Sequence, residues 1–279
     1  LGLKGHMFNW IKNWLLNRTV QVKINDTLSD KDTLLNGIPQ GSCLSPFLFA
    51  IMVHDFPLPN HGSTPSAFAD DWTLSRSGLT PEIICHNLQK DLDTLSRWCK
   101  TWGFIINIDK TKAILFQKSR TKLKIPKLYI NGKVVEFVSS YKYLGITLDD
   151  KLSWKLHISS IIDKVKKRIN ILKVLSHFQW SNSKKLLLIF YKNGIRSIMD
   201  YGAQMYANAS NQLLKKLDSL QYKCIKICLG ALPGIALNTL EITSNIQPLK
   251  LRRLSISWCS VRKLLLYKQS CFCNSIIEL

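Results

Sequence analysis

The sequence predicts an α+β chain, in which a mixed part of short strands and helices is followed by an all-helical, strongly basic part. Three observations predict it. As far as Leu148, short apolar runs alternate with Gly, Pro, Asn and Asp punctuation; from Trp154 onward apolar residues recur at three and four; and positive charge follows the same division. Residues 151–279 hold 21 Lys and Arg against 5 Asp and Glu, whereas residues 1–150 hold 18 against 13. The downstream part therefore carries +16 of the formal net charge of +21.

From Lys4 to Leu16 the apolar spacing is helical and Asn17-Arg18 closes it. Val20, Val22 and Ile24 alternate with Gln21 and Lys23, which predicts a half-buried strand over Thr19 to Ile24 with a turn at Asn25-Asp26. Asn36 to Ser42 is a loop by its glycines and proline. Ser45-Pro46 then signals a helix start, with serine accepting from free amides and proline tolerated in the first turn. Phe47 to Asp55 supplies an almost wholly apolar helix that Pro57 and Pro59 stop. Gly62 to Arg76 holds strand-like pieces around Asp70-Asp71.

Thr80-Pro81-Glu82 opens a helix whose stripe is Ile84, Leu88, Leu92, Leu95 and Trp98, and Gly103 ends it. Ile105 to Ile108, Ala113 to Phe116 and Lys127 to Val135 read as strands, the last folded at Asn131-Gly132, a hairpin signal. Tyr141 to Leu148 reads as another. Helices follow from about His157 to Phe178, Ser183 to Tyr201, Asn211 to Leu229 with Gly230 as a stop, and Pro248 to Tyr267. On the first of these Lys164, Lys166, Lys167 and Arg168 lie away from the apolar stripe.

A chain of 279 residues, 46% of them hydrophobic, buries a real core, so a disordered chain is excluded. The excess of positive charge points to a polyanionic partner, with nucleic acid first and an anionic membrane surface as the rival. The longest apolar run, Pro46 to Val53, is too short to cross a bilayer. Eight cysteines sit at no zinc-like spacing and no signal peptide is visible, which fits an intracellular chain with reduced thiols, nuclear or cytoplasmic and not secreted. Cys271 and Cys273 could open a metal-binding knuckle. The chain starts at Leu1 inside an amphipathic pattern, which is expected of the middle of a domain.

Two segments carry chemistry. In Gly37-Ile38-Pro39-Gln40-Gly41-Ser42-Cys43-Leu44-Ser45-Pro46, glycines let the backbone approach a flat group, proline stiffens the loop, and Gln40 offers both a donor and an acceptor. The same residues also suit an ordinary loop capping a core helix. Phe68-Ala69-Asp70-Asp71-Trp72 sets two carboxylates in an apolar neighbourhood. Adjacent strand residues face opposite ways, so one carboxylate would serve a metal directly while the other assists. A Mg²⁺ bridged to nucleotide phosphates needs only one or two protein carboxylates. A solvated turn is the alternative, and Phe68, Ala69, Trp72 and Leu74 argue against it.

In this order these segments resemble the reverse transcriptase family of non-LTR, LINE-type, jockey-like retrotransposons. Asn36 to Phe49 is close to its GxPQGSxLSPxLF signature and Phe68 to Asp71 to its FADD box. Asn107 to Lys112 resembles the NxxKT segment, and Tyr143-Leu144-Gly145 through Asp149, with Trp154 and His157, the YLG segment. The likeness implies a partial polymerase palm, an antiparallel sheet with helices over residues 1–157. An all-α basic thumb and helical extension would occupy residues 158–279. It implies an RNA-directed DNA polymerase acting with Mg²⁺ or Mn²⁺ on an RNA template, a DNA primer and dNTPs, with no membrane partner.

Carried over by matching position, the resemblance makes Asp70 a direct metal ligand and Asp71 a neighbouring carboxylate. Gly37, Pro39, Gln40, Gly41, Ser42 and Phe68 would contact template or nucleotide. Lys110 would lie near the nucleotide phosphates, with a plain surface lysine as its alternative. Tyr143, Leu144 and Gly145 would form the primer grip, and Lys164, Lys166, Lys167 and Arg168 would hold the nucleic-acid backbone. The motif with the remaining metal-binding aspartate is expected upstream of Leu1, together with the fingers, so the isolated chain is expected not to polymerise. The alternative in a different class is a non-catalytic remnant that binds nucleic acid through its basic helices.

Overall fold

The computed structural model describes residues 4–117, 124–177 and 183–266. Its helices are joined by small antiparallel sheets, so the α+β class holds. The chain forms two compact units, one of residues 1–111 and 121–136, the other of residues 112–120 and 137–279.

The first unit opens with α1 (Gly5–Leu15). The single half-buried strand expected over Thr19 to Ile24 is instead two exposed pieces, β1 (Arg18–Val20) and β2 (Lys23–Ile24). They pair with β4 (Asp32–Leu34) and β3 (Thr27–Leu28) respectively. Val20 lies opposite Asp32 but Lys23 opposite Leu28, so the far side carries one residue too many, a bulge. Ser29 holds it: its Oγ accepts from Val22 N at 2.9 Å and its N donates to Val22 O at 3.0 Å. Val22 and Ile24 are 59% and 69% exposed, because no described layer covers this bent hairpin.

After α2 (Ser45–Met52), β5 (Thr64–Phe68) and β6 (Asp71–Ser75) form a hairpin. Next comes α3 (Pro81–Trp102), begun by Thr80 Oγ1 accepting from Ile83 N and ended by a left-handed Gly103. Both ends fall where Thr-Pro and Gly place them. The chain then passes through β7 (Lys112–Ala113), part of the second unit, and returns as β8 (Leu128–Ile130) and β9 (Lys133–Phe137). Both turn residues of that hairpin, Asn131 and Gly132, have positive φ (50° and 78°), the mirror-image turn that Asn-Gly favours. Gln89 fastens α3 to β8 by closing two 2.8 Å bonds with the backbone N and O of Tyr129.

The strand expected over Tyr141 to Leu148 is likewise two, β10 (Ser140–Tyr143) and β11 (Ile146–Asp149). Four helical stretches follow as predicted. α4 (Lys155–Leu175) and α8 (Asn211–Leu229) pack together. Between them run α5 (Lys184–Phe190), a π-helical turn (Tyr191–Arg196) and α6 (Ser197–Asp200). The short α7 (Ala203–Tyr206) and α9 (Leu237–Ser244) were not anticipated; α10 (Leu249–Leu266) was. Phe178 and Tyr267, the predicted ends of two helices, and Cys271 and Cys273 lie outside the described residues.

The main core belongs to this second unit. Ile158, Val165, Leu172, Tyr191, Ile195, Leu217, Cys224 and Ile225 are fully buried there. A polar chain crosses it: Tyr191 donates to Gln221 Oε1 at 2.6 Å, and Gln221 Nε2 donates to Glu241 Oε1 at 2.7 Å. Arg252 ties α10 to α6 through Asp200 at 3.0 Å, and Arg253 ties it to α8 through Asp218 at 3.6 Å. The six described cysteines are free thiols. No helix among the described residues is long and apolar enough to cross a membrane.

Candidate functional site

The loop before α2 is built around two left-handed glycines, Gly37 (φ 85°) and Gly41 (φ 88°), with open space where a Cβ would sit. Glycine is needed here for backbone conformation rather than for packing. Arg18 clamps the near end, donating from Nη2 to Gly37 O at 2.6 Å and from Nε to Leu15 O at 2.9 Å. At the far end Ser45 differs from its expected role. Leu44 is the cap, and the buried Ser45 donates its hydroxyl back to Pro39 O. Ser42 Oγ accepts from Leu44 N at 3.2 Å. Pro39 is thereby pinned while Gln40 next to it stays exposed.

Asp70 and Asp71 sit at the tip of the β5–β6 hairpin. Phe68 pairs with Asp71, leaving Ala69-Asp70 as a two-residue turn. Ala69 has φ 51°, a conformation that L side chains rarely adopt. The Trp72 indole secures it, donating to Ala69 O at 2.9 Å. Trp72 also sits 5.1 Å from Phe56, 5.3 Å from Trp98 and 5.6 Å from Phe104, ring centre to centre. With Trp72 committed to that cluster, strand alternation turns Asp71 to the other face. Asp55 serves the same cluster, accepting from the indoles of Trp98 (3.3 Å) and Trp102 (3.1 Å). The apolar setting expected around the carboxylates is therefore one-sided: Phe68 is 64% exposed, and both aspartates are exposed.

Lys110 follows a turn, not the predicted strand over Ile105 to Ile108. Asn107 Oδ1 accepts from Lys110 N at 3.1 Å, and Asn107 O accepts from Thr111 N and Oγ1. An Asn side chain that bonds its own following backbone competes with a strand ladder and wins here. In the same unit, two exposed carboxylates at a hairpin tip offer the hard oxygen donors that Mg²⁺ or Mn²⁺ takes alongside phosphates and water. No group of three or more His, Cys, Asp or Glu able to hold a metal occurs among the described residues.

In the second unit Tyr143, Leu144 and Gly145 form the tip of the β10–β11 hairpin. Tyr143 pairs with Ile146, and Leu144 (φ 46°) and Gly145 (φ 82°) make the turn. Tyr201, a residue the sequence did not single out, donates its hydroxyl to Leu144 O at 2.6 Å. A Cβ on Gly145 would lie 3.2 Å from the Tyr201 ring. Gly145→Ala is therefore expected to destabilise the chain by about 1–2 kcal/mol in urea titrations, through strained φ and a displaced tyrosine. An unchanged midpoint would show that the turn does not need glycine.

Gly145 and Tyr201 border a cavity of about 500 Å³ whose other walls include His157, Lys164, Lys167 and Arg168. His157 accepts from Thr147 N at 3.3 Å through Nδ1, and its buried Nε2 has no hydrogen-bond partner. Burial, with Lys164 nearby, pushes its pKa down and so favours the neutral ring. Asp149 delivers α4 to this place: its carboxylate accepts from the amides of Lys151, Ser153 and Trp154 at 2.8–3.2 Å. Lys166 does not share the cavity.

The chain matches the reverse transcriptase (RNA-dependent DNA polymerase) family over residues 2–148. It is 28% identical over 228 residues to the RNA-directed DNA polymerase from mobile element jockey of Drosophila melanogaster, covering 79% of this chain and 25% of the relative. To the probable RNA-directed DNA polymerase from transposon X-element of the same fly it is 28% identical over 233 residues, 80% and 25%. To a Pol polyprotein from type-1 retrotransposable element R1 2 of Nasonia vitripennis it is 22% identical over 204 residues, 69% and 50%. The chain thus spans about a quarter of the jockey and X-element polymerases. No solved structure matches it. The glycine loop and the carboxylate hairpin both lie inside the matched stretch, which takes in just over half of the chain, and the chain belongs to the reverse transcriptase family.

Proposed function

We propose that this chain is the palm and thumb portion of a non-LTR retrotransposon reverse transcriptase, extending a DNA primer on an RNA template. The palm would span residues 1–157 and the thumb and helical extension residues 158–279. The observation that carries the reading is the exposed Asp70-Asp71 pair on a turn held by Trp72, in a chain of this family. Asp70 would bind a divalent ion and Asp71 would assist from the adjacent position. Bound there, Mg²⁺ or Mn²⁺ supplies charge neutralisation on phosphoryl oxygens. One carboxylate pair would be too few to hold two such ions, so a further carboxylate of the polymerase would complete the set.

The other residues orient substrate. Gly37, Pro39, Gly41 and Ser42 hold a rigid backbone against which a base pair lies, with Gln40 free to donate and accept. Phe68 flanks the carboxylates. Lys110 would sit near the nucleotide phosphates and neutralise or protonate the departing pyrophosphate. Tyr143, Leu144 and Gly145 would hold the primer end, braced by Tyr201, with Lys164, Lys167 and Arg168 on the backbone phosphates.

The test is primer extension on RNA by the open reading frame that carries these 279 residues. Mg²⁺-dependent, template-directed dNTP incorporation is expected. The 279 residues alone should bind primed RNA in a salt-sensitive way without extending it. Extension by these residues alone would show that the carboxylate pair suffices. Binding with no extension by the whole frame would favour the non-catalytic remnant.

A further inference from the structure

The basic residues of α4 do not form one face. With about 100° per residue, Lys164, Lys167 and Arg168 fall together, whereas Lys166 lies on nearly the opposite side, within about 20° of Lys173. The structure follows this division. Lys164, Lys167 and Arg168 border the cavity beside Gly145, while Lys166 and Lys173 line a separate groove between α4 and α8. Lys223 and Lys226 of α8 face them there.

This groove has a volume of about 800 Å³. Its apolar lining comes from Ile169, Leu220 and Ile227, its rim from four lysines, and among the described residues no carboxylate lines it. Three of those lysines are exposed and Lys226 is half-buried. An apolar floor with an ammonium rim suits a ligand that is flat and apolar on one side and anionic on the other. A single nucleic-acid strand is such a ligand, with unstacked bases on the floor and phosphates at the rim. A duplex keeps its bases stacked inside and cannot use the floor, and the volume suits a few nucleotides rather than a helix.

We propose that the α4–α8 groove is a second nucleic-acid site, specific for a single strand and separate from the duplex-holding residues beside the primer hairpin. It rests on the reading of the chain as a nucleic-acid polymerase, and it moves Lys166 from the duplex face to this one. In the working enzyme the groove would take a length of single-stranded RNA template outside the hybrid.

The test uses the full chain with a short fluorescent single-stranded RNA and a blunt RNA–DNA hybrid of the same length. In Lys173→Gln/Lys223→Gln/Lys226→Gln, the slope of log affinity against log salt for the single strand should flatten by about 2, one phosphate contact being worth about 0.7. Between about 50 and 200 mM salt, that removes roughly 20-fold of the loss seen with the parent chain. Hybrid affinity should stay within about twofold. Asn170→Lys, which adds a charge to the same groove wall, should steepen the single-strand slope by about 0.7, and guards against a variant that folds poorly. Unchanged single-strand slopes in both variants, or equal losses for strand and hybrid, overturn the proposal. If Lys164→Gln/Lys167→Gln/Arg168→Gln leaves hybrid binding untouched, the duplex grip proposed for those three residues fails independently of the groove.

Discussion

Asp70→Asn, placed in the reverse transcriptase that carries this chain, should lower single-turnover dNTP incorporation by about 1,000-fold or more, with affinity for primed RNA within about twofold of the parent. The amide keeps the shape of the side chain and its place at the turn but removes the charge that a divalent ion needs. A factor of 1,000 corresponds to about 4 kcal/mol, the order that metal stabilisation of a phosphoryl transition state supplies. Affinity should persist because the backbone grip is assigned to lysines and Arg168. Asp71→Asn is expected to cost less, about 10- to 100-fold, since strand alternation turns that carboxylate to the other face. Rapid-quench primer extension with a parallel gel-shift measures both. Inverted losses at the two positions would reverse their roles, and equal losses would show that they share one.

Alkali should unfold the helical unit by several kcal/mol between about pH 9 and pH 12. Cys224 and Cys228 are held in its core, and burial pushes each thiol from an ordinary 9.0 up to about 12. Burial raises the phenols of Tyr191 and Tyr206 as well. These groups are neutral in both states below pH 9, so their contribution to stability is complete there. Above it the unfolded chain loses protons that the folded one keeps, and stability falls by up to about 1.4 kcal/mol per pH unit per group until the folded values are reached. Urea titrations at stepped pH read the slope, and Cys228→Ala should flatten it. A flat profile to pH 11 would mean that the thiols are not shielded as the core implies.

Where a local rule decides the backbone, the sequence was a good guide. Thr80-Pro81, Gly103, Asn131-Gly132 and Gly230 end or turn their elements at the expected residues, because capping and left-handed φ are properties of the residue itself. The turns at Ala69 and Leu144 carry no such mark. Both put an ordinary side chain at positive φ, held by a side-chain donor outside the turn: Trp72, three residues on, in one case and Tyr201, 57 residues away, in the other. For that reason Tyr141 to Leu148 read as one strand. Ser45 shows the same limit: its place at a helix start was legible, its bond to Pro39 was not. Motif likeness found the carboxylates and helical spacing alone separates Lys166 from its neighbours, while the groove that Lys166 and Lys173 line needed α8 in place.

The π-helical turn explains how Tyr201 reaches its partner. Leu187, Tyr191, Ile195, Met199 and Ala203 are all buried, at a strict spacing of four. On an unbroken α-helix the part from Leu187 to Met199 would slip about 40° per step, some 120° in all, and leave the core. The wider turn absorbs the slip, so the path carries one residue beyond what α geometry would use. Such an insertion has a phase. Excising a single residue, Asn193 for instance, would let the segment close into regular α-helix, yet swing everything after it by about 100°. The Tyr201 hydroxyl would then miss Leu144, and a deletion benign to helicity would be read out as a slack β10–β11 hairpin.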